Sequence, residues 1–148
     1  DNFNKKAGAV LNKYHLSDEG IKKVITIASL IEEEVRDYQD KRIVAGIMKN
    51  RLDKNQYLQF DTPFWYILNK TSEEITLKDL ASDSPYNLYK HKGLPPTPIS
   101  NPGLESIEAT LNPLPTKYYF FLTDKEGKVH YAETYDEHLK NRAKYVEP

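Results

Sequence analysis

The sequence has no cysteine among its 148 residues. It therefore cannot form a disulfide, a thiolate nucleophile or a cysteine-ligated zinc site. No apolar run approaches the ~20 residues that cross a bilayer, and no signal peptide opens the chain. A formal net charge of −1 gives no electrostatic reason to expect a nucleic-acid partner.

Several catalytic motifs are missing as well. The four histidines form neither a helical pair nor a close histidine–carboxylate motif, so no metal is expected. There is no nucleophile elbow and no glycine-rich phosphate loop, and we expect no cofactor. Carboxylate chemistry remains by elimination. The 11 tyrosines can stack on sugars, but they are also ordinary strand and core-edge residues.

One helical pattern runs over residues 20–38 and carries three consecutive glutamates. At about 100° per residue, Glu32 lies about 50° from the centre of the apolar stripe, whereas Glu33 and Glu34 lie beyond about 110°. The pattern predicts that Glu32 points toward the apolar side with a raised pKa, which suits a proton donor. A fully solvated glutamate face is the alternative interpretation. The apolar stripe consists of Ile21, Val24, Ile25, Ala28, Ile31 and Val35.

The other patterns favour a single α+β domain, with helices packed against a small antiparallel hairpin. Gly46, inside a predicted helix, would let another backbone approach closely. Asp61 is either the next candidate carboxylate or a helix cap. Further helices are predicted at 3–14, 41–53, 62–68, 77–80, 102–112 and 135–145, an extended segment at 56–60, and strands at 118–123 and 128–132.

Six motifs stand in a specific order along the chain. They read ASLIEEE at 28–34, NRL at 50–52, LQFD at 58–61, SPYNLY at 84–89, GLPPTPISNPG at 93–103, and HYAET followed by EH between 130 and 138. Together they resemble the motifs of the endolytic murein transglycosylases, the MltG or YceG-like family, over roughly residues 17–142. Three departures, at Phe60, at Thr62-Pro63 and at Thr97, bear on loop shape and subsite contacts.

The resemblance implies a lytic transglycosylase that cleaves the β-1,4 bond between N-acetylmuramic acid and N-acetylglucosamine without water. Glu32 would act first as acid and then as base, leaving a 1,6-anhydromuramoyl end. Arg51 is expected to pair with Glu34 or Asp61 as a structural contact. Candidate substrate-binding residues are Asn50, Gln59, Asp61, Ser84, Tyr86, Asn87 and Asn101, although Asn50 can also satisfy a helix end, Ser84 and Asn87 a turn, and Asn101 a helix cap.

The resemblance also implies an organisation and a location. Residues 1–16 would be a lead-in from a missing N-terminal part, and residues 17–148 the catalytic domain. The expected partners are peptidoglycan glycan strands and peptidoglycan synthases, on the extracytoplasmic side of the cell membrane, with attachment only through an anchor absent from this chain. The alternatives are a muramidase-type hydrolase, in which Asp61 directs a water, and a non-catalytic glycan-binding module.

Overall fold

The computed structural model describes residues 2–147 and confirms the α+β class. None of the helices in that range is long and apolar enough to cross a membrane. The elements are α1 (Asn2–Asn12), α2 (Asp18–Glu34), α3 (Tyr38–Asp53), α4 (Thr62–Leu68), a 3-10 turn (Ser72–Glu74), α5 (Leu77–Leu80), α6 (Leu104–Leu111), β1 (Phe120–Thr123), β2 (Val129–Ala132) and α7 (Tyr135–Tyr145).

Helix α2 begins as the sequence predicts but ends earlier. The Ser17 hydroxyl caps it by accepting a hydrogen bond from the Gly20 N–H at 3.1 Å. The predicted continuation to residue 38 is wrong, because Val35 is extended and the Asp37 carboxylate caps α3. A new cap so close to the end of α2 stops the helix. Glu34 is therefore the last residue of α2.

The core has two parts, which meet on α2. Leu30 and Ile31 pack with Val44 and Met48 of α3 in the larger cluster. Ala28 of α2 belongs to the second cluster, together with Ile107 of α6 and with Ala7 and Leu11 of α1. Helix α1 thus packs on the same body as the rest. The boundary predicted at residue 17 stays a prediction, and residues 1 and 148 lie outside the described range.

Gly46 permits a close backbone approach, as the sequence predicts. A Cβ atom placed on Gly46 would lie 2.1 Å from the carbonyl oxygen of Leu114. The Leu114 N–H in turn donates to the Arg42 carbonyl at 3.0 Å. The segment after α6 therefore lies directly on the backbone of α3.

Strands β1 and β2 form the predicted antiparallel hairpin, with Phe120 opposite Ala132. The side chain of Thr134 caps α7, again as predicted, and α7 packs on both strands. The segment 56–60 joins no sheet. Arg51 holds it instead, donating from Nη1 to the Tyr57 carbonyl at 2.7 Å and from Nε to the Tyr119 carbonyl at 2.6 Å. The ion pair predicted for Arg51 is wrong, since its partners are carbonyls.

The close contact at Gly46 predicts opposite effects of one substitution at two helical glycines. G46A should lower the free energy of unfolding by about 1–3 kcal/mol, because the new methyl group meets backbone that cannot move aside. G8A, in α1, meets no atom within 4 Å and should raise it by about 0.5–1 kcal/mol through helix propensity. Urea denaturation measures both. Equal stability of the two variants would contradict the packing.

Candidate active site

A cleft of about 850 Å³ opens beyond the C-terminal end of α2. Residues 58–61, Trp65 of α4, strand β1 and one face of α7 contribute to its walls. Among residues 2–147, no His, Asp and Glu side chains are grouped so as to hold a metal ion. The ionisable and amide side chains that line the cleft are Glu33, Glu34, Arg51, Gln59, Asp61, Tyr89, Tyr135, His138 and Arg142.

Glu34 is the carboxyl group in this cleft whose protonation matches neutral pH. Its pKa is raised to about 7 by burial, by the negative charge of Asp61 and, more weakly, by Glu33. The Thr62 hydroxyl donates to Glu34 Oε1 at 3.4 Å and partly opposes that rise. A carboxyl group with this pKa holds a proton in a large fraction of molecules near pH 7 and can also give it up.

Asp61 occupies the N-cap position of α4, but its side chain makes no capping hydrogen bond. Pro63 has no N–H to offer at the second position of the helix, and the Asp61 backbone is already helical rather than extended. The carboxylate instead accepts a hydrogen bond from the Tyr89 hydroxyl at 2.5 Å. Asp61 is therefore the N-cap by position, as predicted, but its side chain does not cap the helix and lines the cleft.

Gln59 presents an exposed amide to the same cleft. Its φ angle of 57° lies in the left-handed region, which is uncommon for a residue other than glycine. The buried side chains of Leu58 and Phe60 on either side and a hydrogen bond from the Gln59 N–H to the Leu88 carbonyl, at 3.1 Å, hold this backbone. Strain maintained by its surroundings is typical of functional positions.

Glu32, the predicted acid, does not line the cleft. Its Oε2 accepts hydrogen bonds from the Gly103 N–H at 3.1 Å and from the Ser106 hydroxyl, and Lys41 Nζ lies 3.5 Å away. Burial acts to raise the pKa of Glu32, but these two hydrogen bonds and the charge of Lys41 lower it below 4.5. The prediction of a raised pKa is wrong. Glu32 is ionised at neutral pH.

The position of the Glu32 carboxylate has a structural explanation, because Gly103 and Ser106 belong to the N-terminus of α6. A helix N-terminus has unpaired N–H groups and attracts negative charge. Gly103 is the N-cap of α6 and supplies no side chain, and the carboxylate of Glu32 accepts the N–H of this N-cap residue and the hydroxyl of Ser106 in the first turn. Asn101, predicted to be the cap, is exposed and lies before the helix begins.

Two further predicted binding residues hold the fold together outside the cleft lining. The Asn50 amide donates to the carbonyls of Thr116 and Tyr118, at 2.8 and 3.0 Å. The Asn87 amide is fully buried and donates to the carbonyls of Leu80 and Ser82, at 2.9 and 2.8 Å. Each therefore connects one segment of the chain to another.

Ser84 and Tyr86 also make internal contacts. The Ser84 hydroxyl accepts from the Tyr86 N–H at 3.2 Å, as the turn interpretation predicts. The Tyr86 hydroxyl shares a hydrogen bond of 2.9 Å with the Thr97 hydroxyl in the proline-rich loop. Of the eight predicted site residues, the structure brings only Gln59 and Asp61 to the cleft.

Sequence reasoning did not predict that Glu34 lines the cleft. The helical angles assign Glu34 to solvent, because they count only neighbours within α2. The later part of the chain brings Asp61 into the same cleft, where its charge raises the pKa of Glu34. Tyr89, His138 and Arg142 also line the cleft. The signal in the sequence that could have pointed to Glu34 is that it is a glutamate in the same motif as Glu32.

A model of the YceG-like family matches residues 1–144. The chain belongs to this family. It is 43% identical over 126 residues to a protein of Bacillus subtilis (strain 168) named endolytic murein transglycosylase. A protein of the same name from Streptococcus pneumoniae serotype 2 is 36% identical over 132 residues.

These alignments cover 85% of this chain but 35% and 24% of the two relatives, so the chain spans only about a quarter to a third of their lengths. The crystal structure of a YceG-like protein from Listeria monocytogenes has the same fold, with a TM-score of 0.80 and 40% identity. The match covers 93% of this chain and 44% of that one.

The Glu32 contacts predict a stability change with a defined pH dependence. E32Q should lower the free energy of unfolding by about 1–3 kcal/mol at pH 7, since hydrogen bonds to a charged group are lost and buried Lys41 loses its counter-ion. The folded-state pKa of Glu32 is depressed, so the contribution is present above about pH 4.5 and disappears as the pH falls through the lower value.

Urea denaturation of the wild type, E32Q and E33Q at pH 7 and at pH 3 measures this difference. E33Q removes the same charge from an exposed neighbour and serves as the matched control. The gap between E32Q and the wild type should narrow at the lower pH. A loss of stability in E33Q equal to that in E32Q at pH 7 would contradict the specific contacts.

Proposed function

We propose that this chain is the catalytic part of an endolytic peptidoglycan lytic transglycosylase. The observation that carries the proposal is Glu34, a carboxyl group with a pKa of about 7 in an open cleft. Relatives named endolytic murein transglycosylases support the choice of substrate. The bond cleaved is the β-1,4 link between N-acetylmuramic acid and N-acetylglucosamine.

Glu34 performs both proton transfers of the reaction. Its protonated form donates to the glycosidic oxygen as the bond from that oxygen to C1 of the muramoyl residue breaks. The muramoyl C6 oxygen then attacks C1, and ionised Glu34 accepts the proton of the C6 hydroxyl. The products are a 1,6-anhydromuramoyl end and a new N-acetylglucosamine 4-hydroxyl end. A pKa near 7 suits a group that must both give and take a proton.

The neighbours of Glu34 have separate tasks. Asp61 keeps Glu34 protonated by repelling its negative form, and it stabilises the positive charge that develops at C1. Tyr89 holds Asp61 in place through its hydroxyl. The exposed amide of Gln59 binds an N-acetyl or hydroxyl group of the glycan. The aromatic rings of Trp65 and Tyr135 in the cleft wall supply faces for sugar rings.

The substrate defines where the protein works. Peptidoglycan lies outside the cytoplasmic membrane, so the cleft faces the extracytoplasmic side. In the longer protein, a membrane anchor would hold the catalytic part close to new glycan strands, and peptidoglycan synthases are the partners that supply them. Such tethering raises the effective concentration of a polymeric substrate.

Glu34 and Asp61 in one cleft also favour a second candidate, a muramidase-type hydrolase. Glycosidases use two carboxyl groups, with the second as a nucleophile or as the base for a water. Asp61 would have that role here. The hydrolase leaves reducing muramoyl ends, whereas the transglycosylase leaves 1,6-anhydro ends. A binding module would retain its glycan in E34Q and show no cleavage by the parent chain.

The proposal predicts that E34Q loses turnover by a factor of about 10²–10⁴, the usual contribution of a general acid or base. The measurement is mass spectrometry of the ends released from purified glycan strands. E32Q is the decisive comparison, because the sequence motif alone points to that residue. Its turnover per folded molecule should stay within a few-fold of the parent.

The reverse pattern, with E32Q inactive although folded and E34Q active, would return the acid to Glu32. Circular dichroism and the unfolding midpoint verify that each variant is folded before its rate is compared. Reducing ends from the parent chain would establish the hydrolase instead.

The raised pKa of Glu34 predicts the alkaline side of the pH–rate profile. Protonated Glu34 starts the reaction, so kcat/KM should fall as the pH rises through about 7. D61N removes a charge that raises this pKa, so the falling limb should move to lower pH. A residue that only binds sugar would change the rate without moving the limb. If the falling limb of D61N lies at the same pH as that of the parent, Asp61 does not raise the pKa of Glu34.

A further inference from the structure

The end of the cleft formed by α7 carries positive charge that the proposed reaction does not use. His138 and Arg142 stand four residues apart on α7, so their side chains share one face of the helix. Both line the same cleft as Glu34 and Asp61. The cleft is therefore acidic where α2 ends and basic along α7.

Within residues 2–147, the Arg142 guanidinium has one hydrogen-bond partner, which leaves most of its donors available. Its Nη2 atom pairs with Glu147 at 3.0 Å, and both side chains are about half exposed. Exposed pairs of this kind contribute little and exchange easily with another carboxylate. A guanidinium carries five N–H donors in a planar fork that fits a carboxylate. The charge of Arg142 also reaches the catalytic end, where it acts to lower the pKa of Tyr89 against the stronger effect of burial.

His138 supplies a neutral donor next to it. The ring stacks on Phe120, with 5.3 Å between ring centres, and its Nδ1 atom is buried without a hydrogen-bond partner among residues 2–147. Burial and the charges of Arg142 and Arg51 lower its pKa, so the ring is neutral at pH 7. The tautomer with its proton on Nε2 avoids burying an unpaired N–H. The Nε2 proton is then the donor that His138, as a residue lining the cleft, can offer to a ligand.

We propose that Arg142 and His138 form a carboxylate-binding subsite for the substituent on the 3-O-lactyl group of the muramoyl residue. The inference rests on the proposed function, because it assumes a peptidoglycan strand in the cleft. The sugar rings and N-acetyl groups of an unmodified strand are uncharged, so the lactyl substituent carries its anions. The carboxylate is either that of the bare lactyl group or one on the attached peptide.

The polarity of the cleft gives this subsite a function in orientation. A carboxylate near Glu34 and Asp61 would meet the negative charge of Asp61, whereas at α7 it meets the guanidinium of Arg142 and the ring of His138. Like charge at one end and opposite charge at the other discriminate between the two directions in which a strand could lie. The subsite therefore selects the orientation that brings the muramoyl C1 to Glu34.

The test compares native peptide-bearing strands with the same strands after their carboxylates are converted to amides. For the wild type, KM for anhydro-end formation should be about tenfold lower on native strands, since hydrogen bonds to a charged group contribute roughly 1.5–3 kcal/mol. In R142A this ratio should fall toward one. H138F keeps a ring on Phe120 but removes the donor, and should reduce the ratio by about threefold.

K140A is the matched control, because it removes a positive charge from the same helix at a residue outside the cleft lining. It should keep the wild-type ratio. The same fall in K140A would assign the effect to the overall charge of α7 and overturn the subsite. Strands stripped of peptide by an amidase identify the source. Sensitivity to R142A on stripped strands indicates the lactyl carboxylate, and sensitivity only on peptide-bearing strands indicates a peptide carboxylate.

A binding measurement separates this proposal from the reaction itself. Calorimetry with E34Q and with the E34Q/R142A double variant uses soluble disaccharide–peptide fragments in native and amidated form. Native fragments should bind E34Q about tenfold more tightly than amidated ones, and the double variant should lose the difference. Equal affinities in E34Q overturn the subsite whether or not the parent cleaves strands. A retained difference without anhydro ends supports the subsite and rejects the transglycosylase.

Discussion

The carboxylate of Glu32 at the start of α6 is the contact on which the arrangement of the three central helices depends. It accepts from the Gly103 N–H and from Ser106, and Lys41 of α3 lies beside it. One charged group thus joins α2, α3 and α6, and it stabilises them only while ionised. Residues two apart on a helix point about 200° away from each other. Fixing Glu32 toward α6 therefore fixes Glu34 toward the opposite side, where the cleft lies.

Two carboxyl groups two residues apart consequently have opposite pKa shifts. Both are partly buried, which raises the pKa of each. Hydrogen bonds and a lysine outweigh burial at Glu32, whereas the negative charge of Asp61 adds to it at Glu34. Divergent environments of this kind separate a structural carboxylate from one that can transfer protons. A helical pattern predicts only the effect of burial on the pKa, which is the same in direction for Glu32 and Glu34.

Local signals predicted most of the fold, because caps, turns and close backbone contacts act over a few residues. The capping side chains of Ser17 and Thr134, the hairpin and the close contact at Gly46 are all present. The candidate site was less predictable. The acidity of Glu34 depends on Asp61, which lies 27 positions away and meets α2 only because the chain turns back. Such a contact leaves no periodic trace in the sequence.

The departure from the family pattern at Thr62-Pro63 bears on this acidity more than on loop shape. Thr62 donates to Glu34, and Pro63 leaves Asp61 without a capping partner at the second helical position. With the order reversed, the hydroxyl would stand about 100° farther around α4, away from Glu34. Residues 61–63 thus place one group that raises the pKa of Glu34 beside another that lowers it. The protonation of Glu34 is therefore a property of the start of α4 as much as of α2.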